Sequence, residues 1–442
     1  MGIRVGFISL GCPKNQVNGE RMLAALTAEG MEIVDPLEGA DALIINTCGF
    51  IDDAKREAIE NILEAADLKK EGMVKAILVT GCLAESYREE ILREIPEVDA
   101  VLGLGANGEI ARYVREALAG EKPMVFPEIG CLPLEGERLL TSPAHWAYLQ
   151  IAEGCSNRCT YCKIPAIRGD FRSRPAEEIL REAEALAAGG VRELILIAQD
   201  TTRYGVDLYG ELRLPALLRQ LAAIEGVHWL RLLYCYPDAV TQELIDVIAE
   251  EPKVVKYIDL PMQHADDRIL AAMGRRGTQA ELAALLAQLR ARVPGIAIRT
   301  TLLVGFPGED DAAFDTLAAF VEEQRFDRLG VFAFSPQEGT PAFHMDDQVD
   351  PETAARRADI LMEQQNAIAE AAGRAKIGQT IEVVVEDYDG YTDSYTGRSA
   401  QDAPEIDSLV YFTSPVQLED GDFAQVKIFG VKEYDLLGEA VD

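Results

Sequence analysis

Residues 153–165 read Glu-Gly-Cys-Ser-Asn-Arg-Cys-Thr-Tyr-Cys-Lys-Ile-Pro, which places Cys155, Cys159 and Cys162 at C-x3-C-x2-C spacing in one loop. A 4Fe-4S cluster takes four ligands, usually cysteine sulfur. Three thiolates leave one iron open to another molecule, which separates a reactive cluster from one that only carries electrons. Structural zinc also gathers cysteines, but it wants four ligands and usually two C-x2-4-C pairs. No second pair lies nearby. Read alone, Cys159 and Cys162 form a C-x2-C redox pair, a reading that leaves Cys155 without a role.

The loop follows an apolar strand, and a series of strands and helices continues from it. Strands are expected at Trp146–Ile151, Glu193–Ala198, Trp229–Leu233, Tyr257–Leu260, Ala297–Val304 and Gly330–Phe334. Helical patterns lie between them, at Ala176–Ala188, Gln242–Glu250, Gln279–Arg292 and Asp311–Glu323. Six βα units make an open or partial barrel, whose functional groups gather at the carboxyl ends of its strands. A long charged helix, Pro351–Ala375, closes this part. Upstream, strands at Val5–Leu10, Ala42–Asn46, Ala76–Thr80 and Ala100–Leu102 alternate with helices such as Asp52–Ala66 and Ser86–Arg93. That alternation is the pattern of a doubly wound parallel sheet with helices on both faces. A Gly- and Pro-punctuated linker is expected near 120–143. From Lys376 the pattern changes to short strands (Thr380–Val385, Leu409–Phe412, Phe423–Gly430) separated by turns, the pattern of a small antiparallel β-barrel of OB-like type. The expectation is an α/β chain of three domains, residues 1–125, 141–375 and 376–442.

Hydrophobic residues make up 48% of the 442 and charged residues 26%, as in water-soluble globular chains. No apolar run is long enough to span a bilayer, and the start lacks the apolar core and cleavage site of a signal peptide. A cytoplasmic location with no membrane contact is expected. Eight cysteines in such a chain favour metal or catalysis over disulfides. The balance of 42 Lys and Arg against 75 Asp and Glu, a net charge of −33, argues against direct nucleic-acid binding. It suits a basic protein partner, although an acidic solvated surface would look the same.

A second set of cysteines is dispersed. Cys12, Cys48 and Cys82 lie 36 and 34 residues apart, each just after an apolar strand and each beside a glycine (Gly11, Gly49, Gly81). In a parallel sheet all three emerge at one edge, where glycine lets the backbone bend toward a ligand. Three buried cysteines packing as small hydrophobes is the competing reading. Cys131 and Cys235 have no partner at ligand spacing and are assigned structural roles. Of the four histidines only His264, in Asp-Leu-Pro-Met-Gln-His after a strand, stands where a site residue would.

Both cysteine sets together resemble the methylthiotransferases, radical S-adenosylmethionine (SAM) enzymes. Gly-Cys12-Pro-Lys-Asn and Asn-Thr-Cys48-Gly-Phe are similar to their amino-terminal domain, and Cys155, Cys159 and Cys162 to the radical SAM triad. Lys163–Pro175 continues the likeness, and the tail is similar to a TRAM domain, a β-barrel that contacts substrate in this family. The segments 198–207, 233–238, 259–264 and 395–407 resemble the branch that modifies an aspartate in protein twelve of the small ribosomal subunit, rather than the branch that modifies an adenosine of transfer RNA. Charge agrees independently: residues 376–442 hold 4 Lys and Arg against 15 Asp and Glu, whereas an RNA-gripping barrel should be basic.

The resemblance implies two 4Fe-4S clusters, with Cys155, Cys159 and Cys162 holding the one that cleaves SAM and Cys12, Cys48 and Cys82 holding one that carries sulfur. SAM would serve as radical source and as methyl donor, and the product would be a β-methylthio-aspartate. An aliphatic C–H is too weak an acid for side-chain bases, so a cofactor radical must remove it. It also implies SAM contacts at Tyr161 (adenine), Gln199 and Asp200 (amino acid moiety), Gln263 (ribose) and Gly305, in Val-Gly-Phe-Pro-Gly-Glu. A tight turn is the competing role for Gly305. No catalytic residue is expected beyond the cluster ligands. The partners implied are the ribosomal protein, on or near the ribosome, an electron donor and a sulfur donor. A non-catalytic iron–sulfur carrier or scaffold is the rival from another class, and it requires complete cysteine ligation of both clusters.

Overall fold

The computed structural model describes residues 2–36, 39–49 and 51–441. It divides into two compact units. The first runs through Thr141 and includes Ala152–Arg158 and Cys162–Arg172; the second comprises Ser142–Ile151, Cys159–Tyr161 and the chain from Ser173.

In the first unit, strands β1 (Arg4–Ser9), β2 (Glu32–Val34), β3 (Ala42–Thr47), β4 (Ala76–Gly81), β5 (Ala100–Leu102) and β6 (Met124–Val125) form one parallel sheet in the order β2-β1-β3-β4-β5-β6. β3 and β4 are buried along their whole length. That is why they read as continuous apolar runs rather than alternating ones. Helices α1 (Pro13–Ala28) and α4 (Ile110–Leu118) cover one face, packing Met22, Leu26, Ile110 and Val114 onto Val5, Ile44 and Leu78. Helices α2 (Asp52–Lys70) and α3 (Cys82–Glu94) cover the other, packing Ile62, Ala66, Leu83 and Ile91 onto Leu43, Ile45 and Val79. A short helix, α5 (Ile164–Arg168), also belongs to this unit. β2 and β6 are absent from the sequence expectation: three and two residues are too short to show a period, and β6 lies inside the stretch read as linker.

The second unit carries β7 (Trp146–Gln150), β8 (Glu193–Ile197), β9 (Trp229–Leu232), β10 (Tyr257–Asp259), β11 (Ala297–Val304) and β12 (Arg328–Ala333). They pair in parallel as two three-stranded sheets, β7-β8-β9 and β10-β11-β12, which makes an interrupted rather than a continuous barrel wall. The helix Pro351–Ala375 leads into a closed five-stranded barrel of β13 (Thr380–Asp389), β14 (Ser394–Ser399), β15 (Val410–Thr413), β16 (Phe423–Lys432) and β17 (Asp435–Val441). Four of its seams are antiparallel; β15 and β17 pair in parallel, which departs from the all-antiparallel expectation and closes the ring.

The segment Arg398–Asp407 joins this barrel to the floor of the partial barrel, where each of the six strands contributes one polar side chain. Glu193 pairs with Arg231 at 2.7 Å and with Arg398 at 2.8 Å, all three buried. Tyr148 donates to Glu405 at 3.0 Å and Tyr257 to Asp407 at 2.7 Å. Arg299 faces Asp407, and Arg328 pairs with Asp402. Several acids of the tail therefore neutralise buried cations instead of facing solvent.

Removing one partner of a buried pair strands the other charge. Glu193→Gln is expected to destabilise the protein by about 3–5 kcal/mol in urea unfolding. Burial alone would raise the Glu193 carboxyl, but Arg231 and Arg398 outweigh it and hold it below the usual carboxylate range. Its contribution is therefore full above the unfolded-state carboxylate pKa and is lost as pH falls through the depressed native value. The stability gap between wild type and Glu193→Gln should narrow on acidification.

Candidate iron–sulfur and SAM sites

In the first unit the strand order reverses between β1 and β3, and in such sheets ligands sit in the crevice at the carboxyl ends of the strands there. Cys12 follows β1, Cys48 follows β3, and Cys82 follows β4 as the first residue of α3. Positions far apart in sequence thus meet at one edge. Close backbone approach requires the neighbouring glycines. A Cβ on Gly11 would stand 2.7 Å from the Cys48 Cβ, and one on Gly81 (φ +95°) 2.3 Å from the Thr47 carbonyl oxygen. Buried polar side chains lock the strand ends. Asn15 Nδ2 donates to the Leu10 carbonyl at 2.7 Å, Thr47 Oγ1 to the Thr80 carbonyl at 2.5 Å, and Thr80 Oγ1 to Asn107 Oδ1 at 2.9 Å. Phe50 of the quoted Asn-Thr-Cys-Gly-Phe motif lies outside the described residues.

Cys12 caps the start of α1, where amides of Asn15 and Gln16 donate to its carbonyl. Helix starts at Cys12 and Cys82 direct positive dipole ends toward these thiols, which favours thiolate. The Cys12 thiol ends below its ordinary range. Burial pushes it up, but the charges of Lys14 and Arg168 and backbone amide donors outweigh that. Burial pushes the Cys82 thiol up to about 11, only partly offset by Arg168 and reinforced by the neighbouring Cys12 and Cys48. Among the described residues no three Cys, His, Asp or Glu side chains close to the spacing of a single-ion cage. Cysteine thiolates are the usual ligands of an iron–sulfur cubane, so the chemistry of this all-thiol donor set fits such a group.

Arg168, which ends α5, is fully buried in the same unit. It donates to Glu153 at 2.9 Å, to the Cys82 sulfur at 3.4 Å and to Asn15 Oδ1 at 3.4 Å. Cys155 and Cys162 are partly exposed; the Cys155 amide donates to the Gly169 carbonyl at 3.0 Å.

In the second unit, Cys159 is buried with its sulfur 3.3 Å from Tyr236 Oη and 4.0 Å from Arg275 Nη1. The Arg275 guanidinium stacks on the Tyr236 ring at 3.8 Å and donates to the Pro261 carbonyl. Burial pushes the Tyr236 hydroxyl up against the pull of Arg275, so it remains a proton donor toward sulfur. Tyr161 meets Phe306 edge-on, with ring centroids 6.5 Å apart, and packs with Ile269 and Met273. It therefore adjoins the turn that holds Gly305.

Gln199 and Asp200 lie just beyond β8, Gln263 beyond β10 and Gly305 beyond β11. Asp200 is buried and held by Thr202 at 2.5 Å and Arg203 at 3.2 Å. Gln263 adopts φ +74°, its amide donating to the Thr301 carbonyl and its carbonyl accepting from Leu303. Gly305 has φ +75°, and a Cβ there would lie 2.3 Å from the Ala354 Cβ, so the turn and its packing already require glycine. His264 is fully buried. Its Nδ1 accepts from the Asp266 amide at 2.9 Å, which makes Nε2 the donor to Glu309 at 3.1 Å. Glu309 in turn accepts from the Gly305 amide and from Arg357. His264 thus braces the Gly305 turn. Cys235 is fully buried, whereas Cys131 is exposed.

Arg168, Glu153, Tyr236 and Arg275 escaped sequence reasoning as site residues. Arg168 and Tyr236 stand inside quoted motifs, but no spacing marks an arginine or tyrosine as a neighbour of sulfur. The asymmetry between the thiols has a direct readout in metal-free protein. Iodoacetamide is expected to label Cys12 faster than Cys82 at any given pH below about 11, with Cys82 labelling still rising toward pH 11. Peptide mass spectrometry across a pH series measures both rates; equal profiles would contradict the asymmetry.

Residues 4–103 match the uncharacterized protein family UPF0004, residues 149–321 the radical SAM superfamily and residues 377–441 the TRAM domain. Among solved structures, the radical S-adenosylmethionine methyltransferase TsrM from Kitasatospora setae has a similar fold, with a TM-score of 0.58 at 14% identity, over 77% of this chain and 74% of that one. A protein named ribosomal protein uS12 methylthiotransferase RimO from Desulforamulus reducens is 51% identical over 98% of this chain and 99% of its own. The protein of that name from Pelotomaculum thermopropionicum is 50% identical over the full length of both. By this end-to-end similarity, the chain belongs to the ribosomal protein uS12 methylthiotransferase RimO family.

Proposed function

We propose that this chain is a radical SAM methylthiotransferase that inserts sulfur and a methyl group at the β-carbon of an aspartate in ribosomal protein uS12. The observation that carries the reading is the meeting of Cys12, Cys48 and Cys82 at the β1/β3/β4 edge, in a chain that also has the Cys155, Cys159 and Cys162 loop. In this reading residues 1–125 hold one 4Fe-4S cluster, residues 141–375 hold the other together with SAM, and residues 376–442 contact substrate. The setting is cytoplasmic; among the described residues no helix is long and apolar enough to cross a membrane.

When bound, a cluster with one iron free of protein ligands supplies the electron that cleaves SAM. The chain's own residues prepare the site. The Tyr236 hydroxyl and the Arg275 guanidinium face the Cys159 sulfur and fix its surroundings. Tyr161 and Phe306 form an apolar wall beside the Gly305 turn, suited to a planar adenine. His264, Glu309 and Arg357 fix the backbone of that turn. Lys14 and Arg168 hold positive charge beside the Cys12 and Cys82 thiols, which suits a centre that carries anionic sulfur.

Anaerobic protein given SAM, a reductant and uS12 should add about 46 Da to one aspartate, the mass of one methylthio group replacing hydrogen in sulfur-inserting SAM chemistry. Methylthio-adenosine in transfer RNA, with uS12 unchanged, would overturn the substrate assignment. Iron and sulfide quantitation checks the ligand sets: Cys12→Ala and Cys155→Ala should each remove about four irons, since thiolates hold these centres.

A further inference from the structure

Arg168 is 1% exposed, and its guanidinium meets a carboxylate on one side and a cysteine sulfur on the other. Nη1 faces the Glu153 carboxylate at 2.9 Å, and Nη2 lies 3.4 Å from the Cys82 sulfur. Asn15 accepts from the same Nη2 at 3.4 Å, while its own amide nitrogen is tied to the Leu10 carbonyl. Glu153 is also fully buried and accepts from the Gly154 amide at 3.0 Å, one residue ahead of Cys155. The pair is neutral as a whole, but its cationic end is turned toward the thiols and its anionic end away. In a buried setting such an oriented pair acts on a neighbouring charge with little screening.

We propose that Arg168 is a positioning residue for the amino-terminal cluster: through the Cys82 sulfur it raises the cluster's reduction potential, and Glu153 tempers that effect. The proposal rests on the reading of Cys12, Cys48 and Cys82 as cluster ligands. Reduction adds an electron, so a fixed cation and a hydrogen bond to a ligating sulfur favour the reduced state. Glu153 withdraws part of the cation's field. The carboxylate belongs to the backbone that leads into Cys155, so one ion pair tunes the Cys82 centre and holds the start of the other cysteine loop.

The test uses the full chain with Cys155, Cys159 and Cys162 all changed to Ala, so that only the amino-terminal cluster titrates, and follows its EPR signal in an anaerobic redox titration. In that background Arg168→Gln should shift the reduction equilibrium at least tenfold toward the oxidised form, about 59 mV more negative for a one-electron couple. Arg168→Lys should bring the potential back most of the way to its value with Arg168. Glu153→Gln should move the potential the opposite way, because it leaves the guanidinium uncompensated. Breaking the same ion pair from either side would have equal effects if its role were only structural. Shifts in one common direction, or none, therefore overturn the proposal. If Arg168→Gln loses its iron, the sign of the Glu153→Gln shift decides: positive supports, negative or zero refutes. Absence of iron from the triple-alanine background itself would instead sink the cluster reading, and the proposal with it.

Discussion

Neighbouring strands in a parallel ladder run in the same direction, so their carboxyl ends emerge at one edge of the sheet. Both α/β parts of this chain inherit their sites from that constraint. In the first unit the register pairs Ser9 with Asn46, Asn46 with Thr80, and Thr47 with Gly81. Three strand ends are thereby brought level, and the residues that follow, Cys12, Cys48 and Cys82, share one edge. A slip of one residue would exchange the two faces of a strand, displacing Leu43 and Ile45 from one core and Ile44 from the other. The packing of α1 through α4 therefore enforces the register that brings the thiols together. In the second unit the same rule gathers Gln199, Gln263 and Gly305 beyond their strands.

Charge is distributed in the opposite sense to the net composition. In a chain of net charge −33, several buried or largely buried arginines face sulfur or carboxylate. Arg168 stands beside Cys82 and Arg275 beside Cys159, whereas Arg231, Arg299, Arg328 and Arg398 lie on the barrel floor against Glu193, Asp402 and Asp407. A buried charge is tolerated only when paired, so every one of these arginines is accompanied. Two consequences follow for the tail. Part of its acidity is internal, with Asp402 and Asp407 turned toward arginines, so its outward charge is smaller than composition suggests. The β-barrel is also joined to the partial barrel through a segment, 398–407, that doubles as the floor of the larger body.

Much of the architecture was legible because it is carried by long, regular signals. The apolar runs of β3 and β4, the eight-residue strand β11 and the helix Pro351–Ala375 have enough residues to show their pattern. Short elements such as Glu32–Val34 and Met124–Val125 hold too few residues to register, and they form because a neighbouring strand offers an open edge. The parallel pairing of Val410–Thr413 with Asp435–Val441 was likewise hidden, since pairing direction is a property of closure rather than of either strand. Gly305 illustrates how one residue can satisfy a motif and a packing demand at once, because Ala354 approaches it too closely for any side chain.

By itself the sequence determined the thiol pattern: which thiols exist, how three of them crowd one loop, and that three others each close an apolar strand. Those are local properties of spacing and periodicity. Only the tertiary structure decided what surrounds the sulfur. The cation at Cys82 comes from Arg168 and the hydroxyl at Cys159 from Tyr236, each separated from its cysteine by more than 70 residues. Neither contact carries a pattern along the chain, because an arginine or a tyrosine becomes a neighbour of sulfur only when burial and packing remove its freedom to be elsewhere.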